Sequence, residues 1–352
     1  AQAGCTMRIG IVGAGSYPAC ELVRLLAGHP GGLSLEVITS RTADGRRISD
    51  VSPNLRGYCD LAFEPTGLDT LRGRVDTVVL SVPHRAAQEH VPSLLDAGFR
   101  VVDFSADFRL HDADTYENWY GTEHVARGFL GRAVYGLPER YRDDIRDADL
   151  VANPGCYPTS GILGALPLIA DGLVEPDSLI IDSKTGMSGA SRTPSDSAHF
   201  VSRHENITAY NIGKHRHTPE IEQELGAVTD ADVTVSFTPH LMPMTRGILS
   251  TMYGTLRRPT TTDAVLERYR VRYKDEAFVQ VLDAGKPAET KAVLGSNNVH
   301  IGAEVDARVG RVVVTCAIDN LGKGAAGAVV QNLNLMAGLD ETSGLAFPGM
   351  MP

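Results

Sequence analysis

A cysteine at a turn carries the most suggestive chemistry in the chain. In Asn153-Pro-Gly-Cys-Tyr-Pro-Thr159, a short apolar segment, Leu150–Ala152, runs into Pro154-Gly155, and Cys156 opens an apolar helix. The helix dipole favours thiolate over thiol at such a position, which suits a nucleophile. The competing reading is a small buried cysteine, the common fate of a reduced thiol. The bracketing Pro154, Gly155 and Pro158 favour the functional one. Cys5, Cys20, Cys59 and Cys316 fall in a tail, a helix, a loop edge and an apolar strand, and read as non-catalytic. Five scattered cysteines without a CxxC form neither a disulfide framework nor a zinc site, so a reducing, cytoplasmic setting is expected.

A base for that cysteine is available in Lys214-His-Arg-His-Thr-Pro-Glu-Ile221, where two histidines and two other cations crowd the entry to a helix. A histidine facing Cys156 can raise its thiolate fraction and shuttle a proton. Sequence spacing does not show that contact. No third ligand at helical spacing accompanies His215 and His217, so no metal is expected.

Anion-binding candidates come next. Gly10-Ile-Val-Gly13-Ala-Gly15 ends a strand and precedes a helix, the setting in which glycines let a pyrophosphate approach a helix N-terminus. A tight strand-to-helix turn without ligand is the plain alternative. The second strand ends Ile38-Thr39-Ser40-Arg41-Thr42, without the carboxylate that binds a ribose 2′-hydroxyl. A hydroxyl and a guanidinium suit a 2′-phosphate instead, hence NADP. In Ser105-Ala-Asp-Phe-Arg109 an arginine follows a strand on the ligand side of a doubly wound sheet. It can clamp a phosphate or carboxylate, or pair with Asp103, Asp107 or Asp112. Asp319-Asn-Leu-Gly-Lys-Gly-Ala-Ala-Gly327 joins a strand to the last helix and either faces a ligand or packs that helix closely on a sheet.

The elements that position these groups follow from apolar periodicity. Strands are expected at Met7–Val12, Leu33–Thr39, 77–82 and 99–104, with helices at Tyr17–Ala27 and 85–97 between them. This alternation predicts a doubly wound parallel sheet. After about residue 150 the pattern changes. A helix at Cys156–Ala170, a strand at 178–183, a Gly/Ser/Thr-rich loop at 184–196 and a helix at 219–225 come first. Long strands follow at 233–238, 247–256, 299–305 and Arg311–Ile318. Several alternate apolar and polar residues, which predicts a largely antiparallel sheet. A last helix covers 325–336, and the Gly/Pro-rich 339–352 reads as a surface tail.

Composition bounds the function. The 352 residues suggest about two domains, with 43% hydrophobic and 22% charged residues, as in a globular protein. The net charge of −10 argues against nucleic acid as partner. No apolar run approaches the ~18 residues a membrane span needs. The opening AQAGCTMRIG lacks a charged-then-apolar pattern, so no secretory leader is expected, only a short flexible tail before Met7.

Together these motifs resemble the N-acetyl-γ-glutamyl-phosphate reductase family, within the group that includes aspartate-semialdehyde dehydrogenase. The resemblance spans about Met7 to Met336. It rests on PGCYPT at 154–159, HRHTPEI at 215–221, SADFRL at 105–110, SFTPHL at 236–241, RGIL at 246–249 and DNLGKGAAGA at 319–328. It implies a Rossmann-type NADP domain (1–152 and 320–352) completed by the C-terminal helix. An α+β catalytic and oligomerisation domain would occupy 153–319. By resemblance, Cys156 is the nucleophile, His217 the acid/base and Arg109 a phosphate-binding residue; Ser188, His215 and Tyr210 are further candidates for holding substrate. Gly13, Gly15, Ser16, Tyr17, Ser40, Arg41, Pro83, Gly186, Gly189 and Asn320 would bind NADP. The family's first loop reads like GASGYTGAEL, so Ser16 and Ala19 here stand where glycines would. The implied reaction is NADPH-dependent reduction of an acyl phosphate through a cysteine thioester. Phosphate would be released, and the enzyme would be a homodimer or homotetramer. Changing the acyl chain gives the aminoadipyl-phosphate reductase of lysine biosynthesis or aspartate-semialdehyde dehydrogenase. HRHTPEI argues against the second, and the acidic charge against the first, whose substrate is carried by an acidic protein. A non-catalytic NADP sensor would leave Cys156 and His217 without purpose. A thiol hydrolase or acyltransferase would have no use for a dinucleotide loop.

Overall fold

The computed structural model describes residues 6–41, 45–190 and 192–351. Cys5, Thr42 and Ser191 therefore lie outside the described residues. The chain divides into two compact units. One runs to Pro154 and takes Ala325–Ala346; the other is Gly155–Gly324 with the residues from Phe347 onward. Asn320–Gly324 and the last residues thus sit with the second unit, whereas the sequence grouped all of 320–352 with the first.

The first unit is built on seven parallel strands: β1 (Met7–Val12), β2 (Leu33–Thr39), β3 (Phe63–Glu64), β4 (Thr77–Leu80), β5 (Arg100–Asp103), β6 (Ala133–Tyr135) and β7 (Leu150–Ala152). Their order is β3-β2-β1-β4-β5-β7-β6, and every pairing is parallel. β4 is buried at all four positions. Its unbroken apolar run is what a sheet covered on both faces requires. Strand order reverses beside β1, so the carboxyl ends of β1 and β4 form the switch point where doubly wound sheets bind ligands.

The expected strand at 77–82 stops at Leu80, and the following residues form a loop. Gly10 is a packing position: a Cβ there would stand 3.0 Å from Leu71 and 3.3 Å from Val75. The glycine turn proper therefore begins at Gly13. The expected last helix is Gly327–Met336, preceded by a π-helical turn, Gly322–Ala326. The helix is buried along its whole length, and Arg100 bonds the Met336 carbonyl at its end (2.6 Å).

The surface tail expected at 339–352 is corrected by the structure. Leu345 is buried, Leu339 packs on Gly32, and Glu341 pairs with Arg142 (2.9 Å) and Gln331 (2.8 Å). Further on, the Met350 N–H donates to the Leu294 carbonyl in the second unit (2.7 Å).

The second unit carries β8 (Leu179–Thr185), β9 (Thr208–Ala209), β10 (Val235–Leu241), β11 (Ile248–Thr255), β12 (Val279–Val281), β13 (Val299–Asp306) and β14 (Arg311–Ile318). They form one sheet in the order β12-β13-β14-β11-β8-β10-β9. Most pairings are antiparallel; β8 with β10 and β12 with β13 are parallel. The helix Cys156–Ala170 is buried on nearly every side. Ile162, Leu163, Leu166 and Leu168 are fully buried, each contributing roughly 1.5–3 kcal/mol. Gly164 lets the helix approach the sheet, since a Cβ there would overlap Met252 of β11 at 2.1 Å. Tyr269 and Tyr273 cap this contact by donating to the Gly164 and Leu163 carbonyls (2.5 and 2.6 Å).

Candidate active site

Cys156 is the first residue of its helix, with Gly155 as the extended N-cap and no acidic side chain in the first turn. The thiol is half-buried, whereas Cys20 and Cys316 are buried, and no disulfide links the described cysteines. Burial pushes the Cys316 thiol well up, away from thiolate chemistry.

Two helix starts meet here. The Gly155 N–H donates to Glu220 Oε1 at 2.8 Å. Glu220 lies in the first turn of the helix Thr218–Gly226, for which His217 is the N-cap. The Tyr157 ring stands edge-on to both His215 and His217, with centroids 5.6 and 5.9 Å apart. The structure thus brings together the helix starts that carry Cys156 and His217.

His215 occupies a supporting place. Its Nδ1 accepts the His217 backbone N–H at 3.1 Å, so its ring proton is on Nε2. Burial, with Arg216 adding to it, drops its pKa to about 4, so it is neutral at physiological pH. Tyr210 bonds Tyr157 hydroxyl to hydroxyl (3.0 Å), and burial lifts its pKa to about 12.

The Gly186–Gly189 segment and Asn320 also come together. Asn320 donates to Ser188 Oγ (2.9 Å) and accepts the Gly247 N–H (2.8 Å), while Ser188 donates to the Thr245 carbonyl (2.6 Å). Ser188 is buried, so its hydroxyl is engaged within the protein. In the following turn Asp319, fully buried, accepts from Leu321 and Gly322 N–H groups and from Arg246. Gly324 stands where a Cβ would lie 3.1 Å from the Cys156 Cβ. Lys323 is buried above the Phe278 ring at 5.8 Å. Close packing therefore accounts for Gly322 and Gly324.

In the first unit, Gly13 has φ of +84° and a Cβ would strike the Ser81 carbonyl oxygen at 2.3 Å, so only glycine fits. Gly15 is different: no atom lies within 4 Å of where its Cβ would be. Ser16 caps the next helix by accepting the Ala19 N–H (3.1 Å) and bonds Ser81 Oγ (2.7 Å). Tyr17 is exposed at the helix start. A left-handed glycine, an open position and a capped helix start form a cradle that fits a phosphate. Ser40, buried, and Arg41, exposed, follow β2, and Pro83 is exposed beyond β4.

Arg109 is only 5% exposed. Its Nε donates to the Asn153 carbonyl (2.8 Å) and its Nη2 to the Phe104 carbonyl (2.7 Å). It ties the ends of β5 and β7 together, just before the Pro154-Gly155 turn. Asp103 accepts from the Ser105 N–H and hydroxyl (2.8 and 2.6 Å), and burial, then the charge of Asp107, lifts its pKa to about 7.

Sequence reasoning missed Glu220 and Asp107 as organising residues. The signal for Glu220 was a carboxylate three residues after a helix N-cap; Asp107 had none beyond its motif. Among the described residues no three His, Cys, Asp or Glu side chains converge as a metal ion requires, and no helix is long and apolar enough to cross a membrane.

Two family models match the chain: the semialdehyde dehydrogenase NAD binding domain over residues 8–148, and the semialdehyde dehydrogenase dimerisation domain over 156–320. The N-acetyl-gamma-glutamyl-phosphate reductase of Desulforudis audaxviator is 49% identical over 346 residues, covering 98% of this chain and 100% of the relative. Those of Moorella thermoacetica and Symbiobacterium thermophilum are 47% and 49% identical, each covering 98% of this chain and 100% and 99% of the relative. Among solved structures, aspartate semialdehyde dehydrogenase II of Vibrio cholerae superposes with a TM-score of 0.70 at 15% identity, covering 94% of this chain and 98% of that one. The Candida albicans enzyme with NADP gives 0.68 at 15% identity, with the same coverage. At that identity the structures share the fold alone. The chain belongs to the N-acetyl-gamma-glutamyl-phosphate reductase family of semialdehyde dehydrogenases.

Proposed function

We infer that the chain reduces N-acetyl-γ-glutamyl phosphate to N-acetylglutamate 5-semialdehyde with release of phosphate, a step of arginine biosynthesis, and that it uses NADPH. The observation that carries this reading is near-half identity to reductases of that name over almost their entire length. The Gly155–Glu220 hydrogen bond, which joins the helix starts carrying Cys156 and His217, supports it.

Cys156 is the proposed nucleophile. Its thiolate attacks the acyl carbon, a C–S bond forms, the C–O bond to phosphate breaks, and a thioester remains. Backbone N–H groups at the start of the helix after Cys156 would stabilise the oxyanion. NADPH, when bound, supplies the hydride that reduces the thioester. His217 takes the hydroxyl proton as the aldehyde is released and the thiolate leaves. Tyr157 and His215 hold the His217 backbone and ring.

Gly13, Gly15, Ser16 and Tyr17 would hold the pyrophosphate, Ser40 and Arg41 the 2′-phosphate, and Pro83 the adjoining face. Gly186, Gly189 and Asn320 belong to the nicotinamide end in this proposal. Ser188 supports it by fixing Asn320. Arg109 serves the acyl-phosphate end, partly by bracing the turn before Cys156. The dimerisation-domain match over 156–320 supports a homo-oligomer, dimer or tetramer. A cytoplasmic location belongs to the same proposal.

The test is the reverse reaction, phosphate-dependent reduction of NADP by N-acetylglutamate semialdehyde. Aspartate semialdehyde, the lysine-pathway aldehyde and NAD are run in parallel. Turnover that requires phosphate and prefers the acetylated aldehyde and NADP is expected. Preference for either other aldehyde would move the substrate assignment.

A further inference from the structure

The buried carboxylate of Asp107 has no part in the chemistry above, yet it collects an unusual set of donors. Asp107 is fully buried. Its Oδ1 accepts the Arg85 backbone N–H (2.8 Å) and the Tyr116 hydroxyl (2.8 Å), and its Oδ2 accepts the Gln88 N–H (3.4 Å). Its own N–H donates to Ser105 Oγ (3.1 Å), and its carbonyl pairs with His124 Nε2 (2.7 Å).

The Arg85 bond is the informative one. Arg85 has φ of +80°, one of three non-glycine residues with positive φ among the described residues. A residue with a Cβ resists that conformation and persists in it only where its surroundings hold it. Here a buried carboxylate grips the N–H, the Tyr120 carbonyl accepts from Arg85 Nη2 (3.0 Å), and His84 Nδ1 accepts the Ala106 N–H (3.1 Å). The loop after β4 is thereby fixed to the loop after β5. The same β4 loop begins at Ser81, whose carbonyl lies under Gly13 and whose hydroxyl bonds Ser16.

We propose that Asp107 is a positioning residue for the dinucleotide: by holding the left-handed turn at Arg85, it keeps residues 81–85 seated against the Gly13–Ser16 phosphate loop. This rests on the NADP reading above. A hydrogen bond to a charged, desolvated partner is among the stronger ones, and here its strength is spent on the shape of the cofactor loop.

The experiment is a double-mutant cycle read by calorimetric titration of NADP, using the full chain. Asp107→Asn should weaken NADP affinity about tenfold or more, as expected for a lost charge-assisted bond. In the Arg85→Gly background, where glycine adopts positive φ unaided, the same change should cost less than about twofold, near the limit of additivity. Tyr116→Phe, which leaves the turn bond intact, should lower Tm without moving NADP affinity. Unchanged affinity in Asp107→Asn, or an equal loss in both backgrounds, overturns the proposal, because Asp107 then serves only the fold. A wild-type chain that turns over the aldehyde with NAD and does not bind NADP overturns the cofactor reading, and this inference with it. Should Asp107→Asn not fold, amide hydrogen exchange in the wild type decides. The Arg85 N–H should exchange slowly despite its exposed side chain, and exchange at the rate of an unprotected amide contradicts the proposal.

Discussion

Gly15, after β1, and Gly322, after β14, both stand in glycine-rich turns that lead from a strand into a helix. A methyl group at Gly15 would meet no atom within 4 Å, while at Gly322 it would meet the Ser296 carbonyl oxygen at 2.2 Å. Gly186 and Gly324 resemble Gly322, pressed on Thr245 backbone and on Cys156. Gly15 leaves room, whereas Gly186, Gly322 and Gly324, like Gly13 beside it, remove it. Room above a capped helix start suits a ligand that arrives and leaves. A packed turn behind Cys156 suits a nucleophile whose position must not drift, since small misplacements of reacting groups cost rate steeply.

The largest effect is expected at the chemistry that the packed region serves. His217→Asn should cut turnover by about 10²–10⁴-fold with NADP affinity retained, measured by steady-state kinetics beside titration. Unchanged turnover removes His217 from the mechanism.

Gly13→Ala should come next, since it combines a left-handed φ with a backbone clash. A loss of roughly 1–3 kcal/mol or more of stability is expected in thermal or urea unfolding. Gly15→Ala should leave Tm within a degree or two while weakening NADP binding, because its methyl occupies ligand space and touches no protein atom. Equal Tm losses in the two variants would erase the distinction between the packed and the open glycine of this turn.

A smaller effect is expected at Asp103. Its folded-state pKa, about 7, lies above its ordinary 3.8. The stability it contributes is therefore full below about pH 3.8 and is lost as pH rises through about 7. Asp103→Asn does not ionise, so its Tm relative to wild type should rise between about pH 4 and 7 and level off above. A difference independent of pH would mean that Asp103 does not titrate in that window.

Much of this was legible in the sequence where signals are local. The Pro-Gly break before Cys156 and the apolar run after it specify a strand, a turn and a buried helix. Alternating apolar segments specify the parallel sheet. Residues whose role depends on distant partners were not legible. Glu220 matters because its helix start meets Gly155, a tertiary contact that no periodicity encodes. Asp107 matters because Arg85 adopts an improbable φ, which an arginine in sequence does not announce. Arg109 reads as an anion clamp from its place after β5, yet part of its donor set is held by the Asn153 and Phe104 carbonyls. The two-residue strands β3 and β9 are too short for any pattern. The tail from Leu339 reads as surface because Gly and Pro dominate it, although Leu345 and Glu341 anchor it.

The proposed mechanism requires that Cys156 carry the acyl group. The direct test is intact-protein and peptide mass spectrometry after mixing the chain with N-acetylglutamate semialdehyde and NADP in the absence of phosphate. One N-acetylglutamyl thioester per chain, on Cys156 and discharged by added phosphate, is predicted. An adduct on another cysteine, or phosphate-dependent turnover by Cys156→Ser, would contradict it.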